Sequence, residues 1–224
     1  MVRTANPDDP GVAIAASVRT LGDAFAVFRR FASPKVLATG LLLAITVRGV
    51  AAVSGAAGFG WWDLVGVGTV VGLVPFVEWF VHRFVLHVEP FSVGRLLIDP
   101  GIGHREHHDN PRSVNWVVLR GVDAALFQVV NALVAATVVG VPLALAGRPV
   151  LGPSLTAIVA AVIALSHYEW SHFLFHTAYR PKTARYRRLK ANHTRHHFRD
   201  ERAWLGITSN LGDRALRTLP TRHR

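Results

Sequence analysis

Ten histidines fall into four short groups along this chain, at the spacing of metal ligands. His172 and His176 are four residues apart and so share one face of a helix, while His193, His196 and His197 stand at i, i+3 and i+4 and share another. A second copy of the pattern lies upstream, with His82 and His87 followed by His104, His107 and His108. In both halves seventeen positions carry the chain from the pair to the triplet. Isolated core or surface histidines would not repeat in this way, and the chain reads as duplicated around a metal site. Neutral imidazoles suit iron, zinc, copper or nickel, and at about three to five donors per ion ten of them make two ions. Over five residues an ideal helix turns about 500°, which leaves His82 and His87 about 140° apart. They serve different ions, or they sit where the helix unwinds.

Histidine ligands are usually held through their second nitrogen by a carboxylate or a carbonyl. Glu78, four residues before His82, and Glu169, three before His172, are the candidate catalytic carboxylates, acting through the histidines. His167 lies a turn deeper and reads as a hydrogen-bonded core histidine. His223, in the tail TRHR, reads as solvated.

The scaffold behind these groups is apolar. Half of the 224 residues are hydrophobic, and runs this long would over-fill a soluble core. Four spans are expected, at 36–55, 64–84, 122–146 and 154–178, each long enough for a hydrocarbon core of about 30 Å. They make an all-α, integral membrane four-helix transmembrane bundle of two hairpins, and both hairpins bring an EW-to-histidine end to the same surface as a cytoplasmic histidine-rich helical cap. Residues 1–11 read as a tail. Apolar residues from 12 to 31 recur at three and four, giving one amphipathic helix that lies in the interface or packs on the protein's own surface. The domain division is therefore 1–35 and 36–224.

Several single residues carry finer expectations. Arg48 snorkels from the first span toward the far side. Gly68 and Gly72 help helices pack closely, since GVGTVVG is not a dinucleotide-binding GxGxxG. Pro75 kinks or loosens the second span. Asp123, Gln128 and Asn131 face other helices, and HREHH forms a short helix within the polar segment 88–113.

With no cysteine, the chain holds any metal by nitrogen and oxygen alone and builds no iron–sulfur cluster of its own. Its net charge of +11 is concentrated late, with thirteen of the 25 Lys and Arg between Arg180 and Arg224. That position, directly after an apolar span, fits the positive-inside rule and anionic membrane lipids rather than nucleic acid.

The pattern HX4H, HX2HH, HX3H, HX2HH on four spans resembles the fatty acid hydroxylase and sterol desaturase superfamily of integral membrane di-iron enzymes. The likeness is closer to its fatty acid 2-hydroxylases. His82, Arg83, Phe84 and His87 with Pro90 and Ser92 are similar to one stretch of that family. Tyr168 and Glu169 through His176 to Pro181, then LKANHTRHHF, GITSNLGD and TLP, are similar to two more. The resemblance spans 78–220. It implies two iron ions on the ten histidines, with zinc able to substitute, and O2 plus electrons from an external electron-transfer protein. The implied reaction is hydroxylation of a lipid acyl chain, with sterol desaturation or carotenoid hydroxylation as alternatives. Departing from many members, the chain is expected to lack a cytochrome b5 domain, and nothing before Val36 is recognisable as binding a ceramide or acyl-CoA. A membrane metal-binding or transport protein is the non-enzyme alternative, disfavoured because transport needs polar groups deep in the bilayer.

Overall fold

The computed structural model describes residues 9–93 and 96–220. In chain order the helices are α1 (Pro10–Ser17), α2 (Leu21–Phe28), α3 (Ala32–Val53) and α4 (Trp61–Val81). A π-helical turn (His82–Leu86) prolongs α4, and a hairpin of β1 (Phe91–Val93) and β2 (Leu96–Ile98) follows. Then come α5 (Ile102–Asp109), α6 (Val114–Val117), α7 (Gly121–Leu145), α8 (Leu151–Phe175), α9 (Ala184–Phe198) and α10 (Leu211–Ala215). The chain divides into two compact units, one of Phe31–Val74 and Arg120–His167, the other of Met1–Arg30, Pro75–Leu119 and Tyr168–Arg224.

The first of these units holds most of the four segments long and apolar enough to cross a membrane, Ala32–Val53, Trp61–Leu86, Val114–Leu145 and Leu151–Phe175. Its core is small-residue and aliphatic, with Val70 from α4 against Ala135, Val139 and Leu143 of α7 and Ala157 and Ala161 of α8. Large apolar residues such as Leu42, Leu64, Val122 and Leu133 stay exposed, as a lipid-facing surface requires. Gln128 faces another helix as expected, donating to the Leu37 carbonyl of α3 at 3.3 Å. Asp123 instead pairs with Arg120 at the start of its own helix.

Two further expectations are corrected in this unit. Arg48 does not snorkel: it is 4% exposed and donates to Asp63 Oδ1 at 2.9 Å, to the Ala57 carbonyl at 2.7 Å and to Thr156 Oγ1 at 2.8 Å. A charge in an apolar unit is held by a partner carboxylate when one lies within reach. Gly68 and Gly72 give no close packing, for a Cβ at either would meet no described atom within 4 Å. The close approach falls at Gly66, where a Cβ would lie 2.8 Å from the Pro153 carbonyl.

The second unit carries the histidines. Its N-terminal residues form two helices where the apolar periodicity predicted one. Thr20 and Asp23 make a capping box that starts α2 afresh, a T-x-x-D signature present in the sequence and outweighed there by the apolar spacing. Phe28 then packs on Trp170 and Phe173 at 5.1 and 5.2 Å between ring centroids. HREHH lies on α5 as expected, while the antiparallel pair Phe91↔Ile98 within 88–113 was not foreseen. Helix α4 runs on through Pro75, and the departure from α geometry comes about two turns later, at His82.

Candidate metal centre

The unwinding at the end of α4 explains the His82–His87 spacing. Within the π turn the His87 amide donates to the His82 carbonyl at 3.3 Å, an i→i+5 bond that puts residues five apart on one face. The two rings stack with centroids 5.1 Å apart and 24° between planes. Of the two alternatives left by the spacing, the helix unwinds and the pair stays together.

All ten histidines converge, in two groups of five. His82, His87, His104, His108 and His196 form one, and His107, His172, His176, His193 and His197 the other, with the candidate ligand atoms of each group within 4.8 Å of one another. The groups are not the two sequence halves. On α5, His104 and His108 serve the first group while His107 crosses to the second; on α9, His193 and His197 serve the second while His196 crosses to the first. The reason is helical. Relative to residue i, i+4 lies about 40° to one side and i+3 about 60° to the other, so a triplet on a helix between two sites divides itself. His167 joins neither group and is exposed rather than core. His223 lies outside the described residues.

Both groups fit an ion. In the first, Nε2 atoms stand 3.1 Å apart for His82 and His104, 3.2 Å for His104 and His87, 3.3 Å for His87 and His196, and 3.1 Å for His108 and His104. In the second, the His107–His197 and His197–His193 separations are both 3.0 Å. Bond lengths near 2.1 Å at right angles put neighbouring nitrogens about 3.0 Å apart. His172 Nε2, also in the second group, is buried with no hydrogen-bond partner among the described residues. Burial, then mutual repulsion, holds His104, His107, His193 and His197 well below the ordinary imidazole range. Burial pushes His87 down to about 4 and His176 to about 3, so both are neutral at pH 7.

The outer nitrogens fix which nitrogen is bare. A carbonyl only accepts, so His82, His196 and His176 must carry their proton on Nδ1 to donate to Leu205, Ala203 and Pro111, at 2.6, 2.9 and 2.7 Å. Their Nε2 lone pairs then face the group. His172 bonds the Val117 backbone in the same way.

The two glutamates act one step further out. Glu78 Oε2 accepts from the Thr208 amide at 3.0 Å and Oε1 from its hydroxyl, which holds the loop whose Leu205 carbonyl grips His82. Glu169 Oε1 accepts from the Leu119 amide at 2.8 Å, two residues after the Val117 that grips His172. Each carboxylate thus steadies a backbone segment, and the segment steadies the ring.

Two acids escaped the sequence reading. Asp213 accepts from the Leu205 and Gly206 amides at 2.9 Å each and clamps the same loop, in which Trp204 takes a left-handed φ of 56°. Glu201 Oε1 lies 3.2 Å from His108 Nδ1 and Oε2 4.0 Å from His87 Nδ1, and contact with His108 holds its carboxyl below the usual range. By contrast Nδ1 of His107, His193 and His197 in the second group is buried without a partner among the described residues. Only distance along the fold could reveal either acid, since neither sits at helical spacing from the histidine it serves.

A family model described as fatty acid hydroxylase matches residues 67–218. The chain is 28% identical over 144 residues to fatty acid 2-hydroxylase of Homo sapiens, a match over 64% of this chain and 36% of that protein. It is 31% identical over 154 residues to dihydroceramide fatty acyl 2-hydroxylase FAH1 of Arabidopsis thaliana, over 65% of this chain and 56% of that one. The chain thus spans between about a third and a half of these curated relatives. The visible hydroxylase domain of full-length Scs7p shares the fold, with a TM-score of 0.62 and 21% identity over 85% of this chain and 67% of that one.

Proposed function

Because this chain belongs to the fatty acid hydroxylase family, we propose that it is a multi-pass membrane oxidoreductase that hydroxylates the acyl chain of a lipid at a pair of irons. The observation that carries the reading is the two five-histidine groups, each with bare nitrogens at ligand separation. When bound, the irons supply the activation of O2, drawing two electrons from an external electron-transfer protein.

The chain's own residues do the rest. Carbonyls of Leu205, Ala203 and Pro111 keep the proton on the outer nitrogen and leave the inner one free to bind. Glu78 and Asp213 hold the 203–208 loop to its place, and Glu169 holds the 117–119 segment. The burial of His82, His107, His193 and His196, each 1% exposed or less, excludes bulk water from most of both groups. Four segments apolar enough to cross a membrane keep the chain in the lipid phase, where acyl chains are at hand. The histidines and both termini are assigned to the cytoplasmic side by the arginine-rich C-terminal stretch.

The test is metal analysis of the purified protein joined to product analysis. Two ions per chain, and a hydroxylated acyl product carrying label from 18O2 when iron and an electron donor are supplied, are expected. A folded preparation that saturates at one ion, or two irons with no oxidised lipid, would sink the proposal. A preparation carrying zinc in place of iron is expected to be inactive.

A further inference from the structure

A basic cleft of about 330 Å³ lies on the histidine-bearing unit and takes no part in holding the histidines directly. Arg185 and Arg188, three apart on α9, and Arg214 on α10 line it, with Ser209 and Asn210. Among the described residues no carboxylate pairs with any of these three arginines. Arg185 spends one donor on the Thr208 carbonyl at 2.9 Å and keeps the rest of its guanidinium. Ser209 Oγ already accepts from the Leu211 amide, and Asn210 Oδ1 already accepts from Asn192, so the hydroxyl proton and the amide NH2 are what these side chains have left to give. The cleft is therefore rich in donors and short of acceptors, and three like charges share it uncompensated.

From this we infer that the cleft binds a phosphate group. A carboxylate has two oxygens and suits one guanidinium fork, whereas three forks with two further donors suit the three or more oxygens of a phosphate. The volume exceeds what a bare ion needs and falls at the lower end of organic-ligand sites, about 300–1,000 Å³, so the phosphate is an ester. A lipid headgroup and a soluble phosphate ester share this chemistry. Occupancy reaches the histidines by two short routes. The Thr208 whose carbonyl takes Arg185 also takes Glu78 on its amide and closes the loop that grips His82, and the Asn192 bonded to Asn210 directly precedes His193.

The experiment uses the full chain in detergent, loaded with metal, and reads binding without turnover, so its failure is separate from failure of the hydroxylase reading. Glycerol 3-phosphate binding is measured by equilibrium dialysis, and retention of phosphatidylglycerol against dioleoylglycerol by native mass spectrometry. Saturable binding of either phosphate compound is expected; selective retention of the lipid assigns the headgroup as source, and binding of glycerol 3-phosphate alone assigns a soluble ester. Arg188→Gln with Arg214→Gln removes two charged donors and should weaken binding about 10-fold or more, at unchanged metal content. The charge-matched pair Arg29→Gln with Arg112→Gln should leave it unaltered. If neither compound binds saturably, or the matched pair loses as much as the cleft pair, the arginines are a solvated basic face and the inference is overturned. Should the cleft pair fail to keep its metal, the single Arg188→Gln, on an exposed side chain, carries the same comparison.

Discussion

A histidine can donate to an ion only through a bare nitrogen, and its other nitrogen decides which one that is. The outer partners here are four backbone carbonyls and one surface carboxylate, so replacements should differ by where they act. Alanine at any of the ten grouped histidines removes a donor and should abolish lipid oxidation. The crossing of His107 and His196 makes this sharper: His107→Ala should release the ion of the His172 group and keep the other, and His196→Ala the reverse, read as a fall from two ions to one with different surviving spectra in cobalt-substituted protein. Glu78→Gln keeps one acceptor for Thr208 and should cost roughly 10- to 100-fold in activity or metal affinity, as changes behind a ligand do. Glu201→Gln should weaken the first group alone. His167→Ala and His223→Ala should leave metal content at two; loss of an ion in His167→Ala would extend the site a turn deeper.

At the scale of the element, the π turn His82–Leu86 is the device that lets a pair five apart act as one. Inserting an alanine after Val85 would put His87 six positions beyond His82 and swing it by about 100° away from that ring. The expected result is loss of the first group's ion with the helical circular dichroism signal unchanged. Retention of both ions would mean that the turn is not what aligns the pair. The triplets on α5 and α9 need no such device, because i, i+3 and i+4 already share a face.

The whole molecule sets orientation and pH response. The two turns between hairpin helices hold Arg148 as their one charge among Lys and Arg, against the many basic residues after Arg180. Single cysteines at Gly58 and Gly147 should react with an impermeant reagent from outside, and ones at Ser92 and Thr183 should not; the chain's lack of native cysteine keeps the readout clean. Stability of the metal-free protein should fall with acid. His87 and His176 are depressed from 6.5 to about 4 and about 3, so below 6.5 the unfolded chain takes up protons that the folded one refuses. The stabilisation is complete above 6.5 and is lost as pH falls toward 4 for His87 and 3 for His176. A melting temperature of the stripped protein that stays level over that window would contradict it.

The four spans, the ten histidines and their confinement to the ends of two hairpins are legible without a fold, because apolar run length and helical spacing are local quantities. The sequence also held the capping box at Thr20 and Asp23, which the broader apolar periodicity masked. How the histidines divide emerges from the packed fold, since the exchange of His107 and His196 depends on α5 and α9 standing between two sites. Arg48 found Asp63 for the same reason: fifteen residues separate them in the chain, and a turn closes that distance. The roles of Glu201, Asp213 and the carbonyls of Ala203 and Leu205 were likewise invisible. A backbone carbonyl has no sequence signature, and a carboxylate that reaches a ring across a loop leaves no period to read.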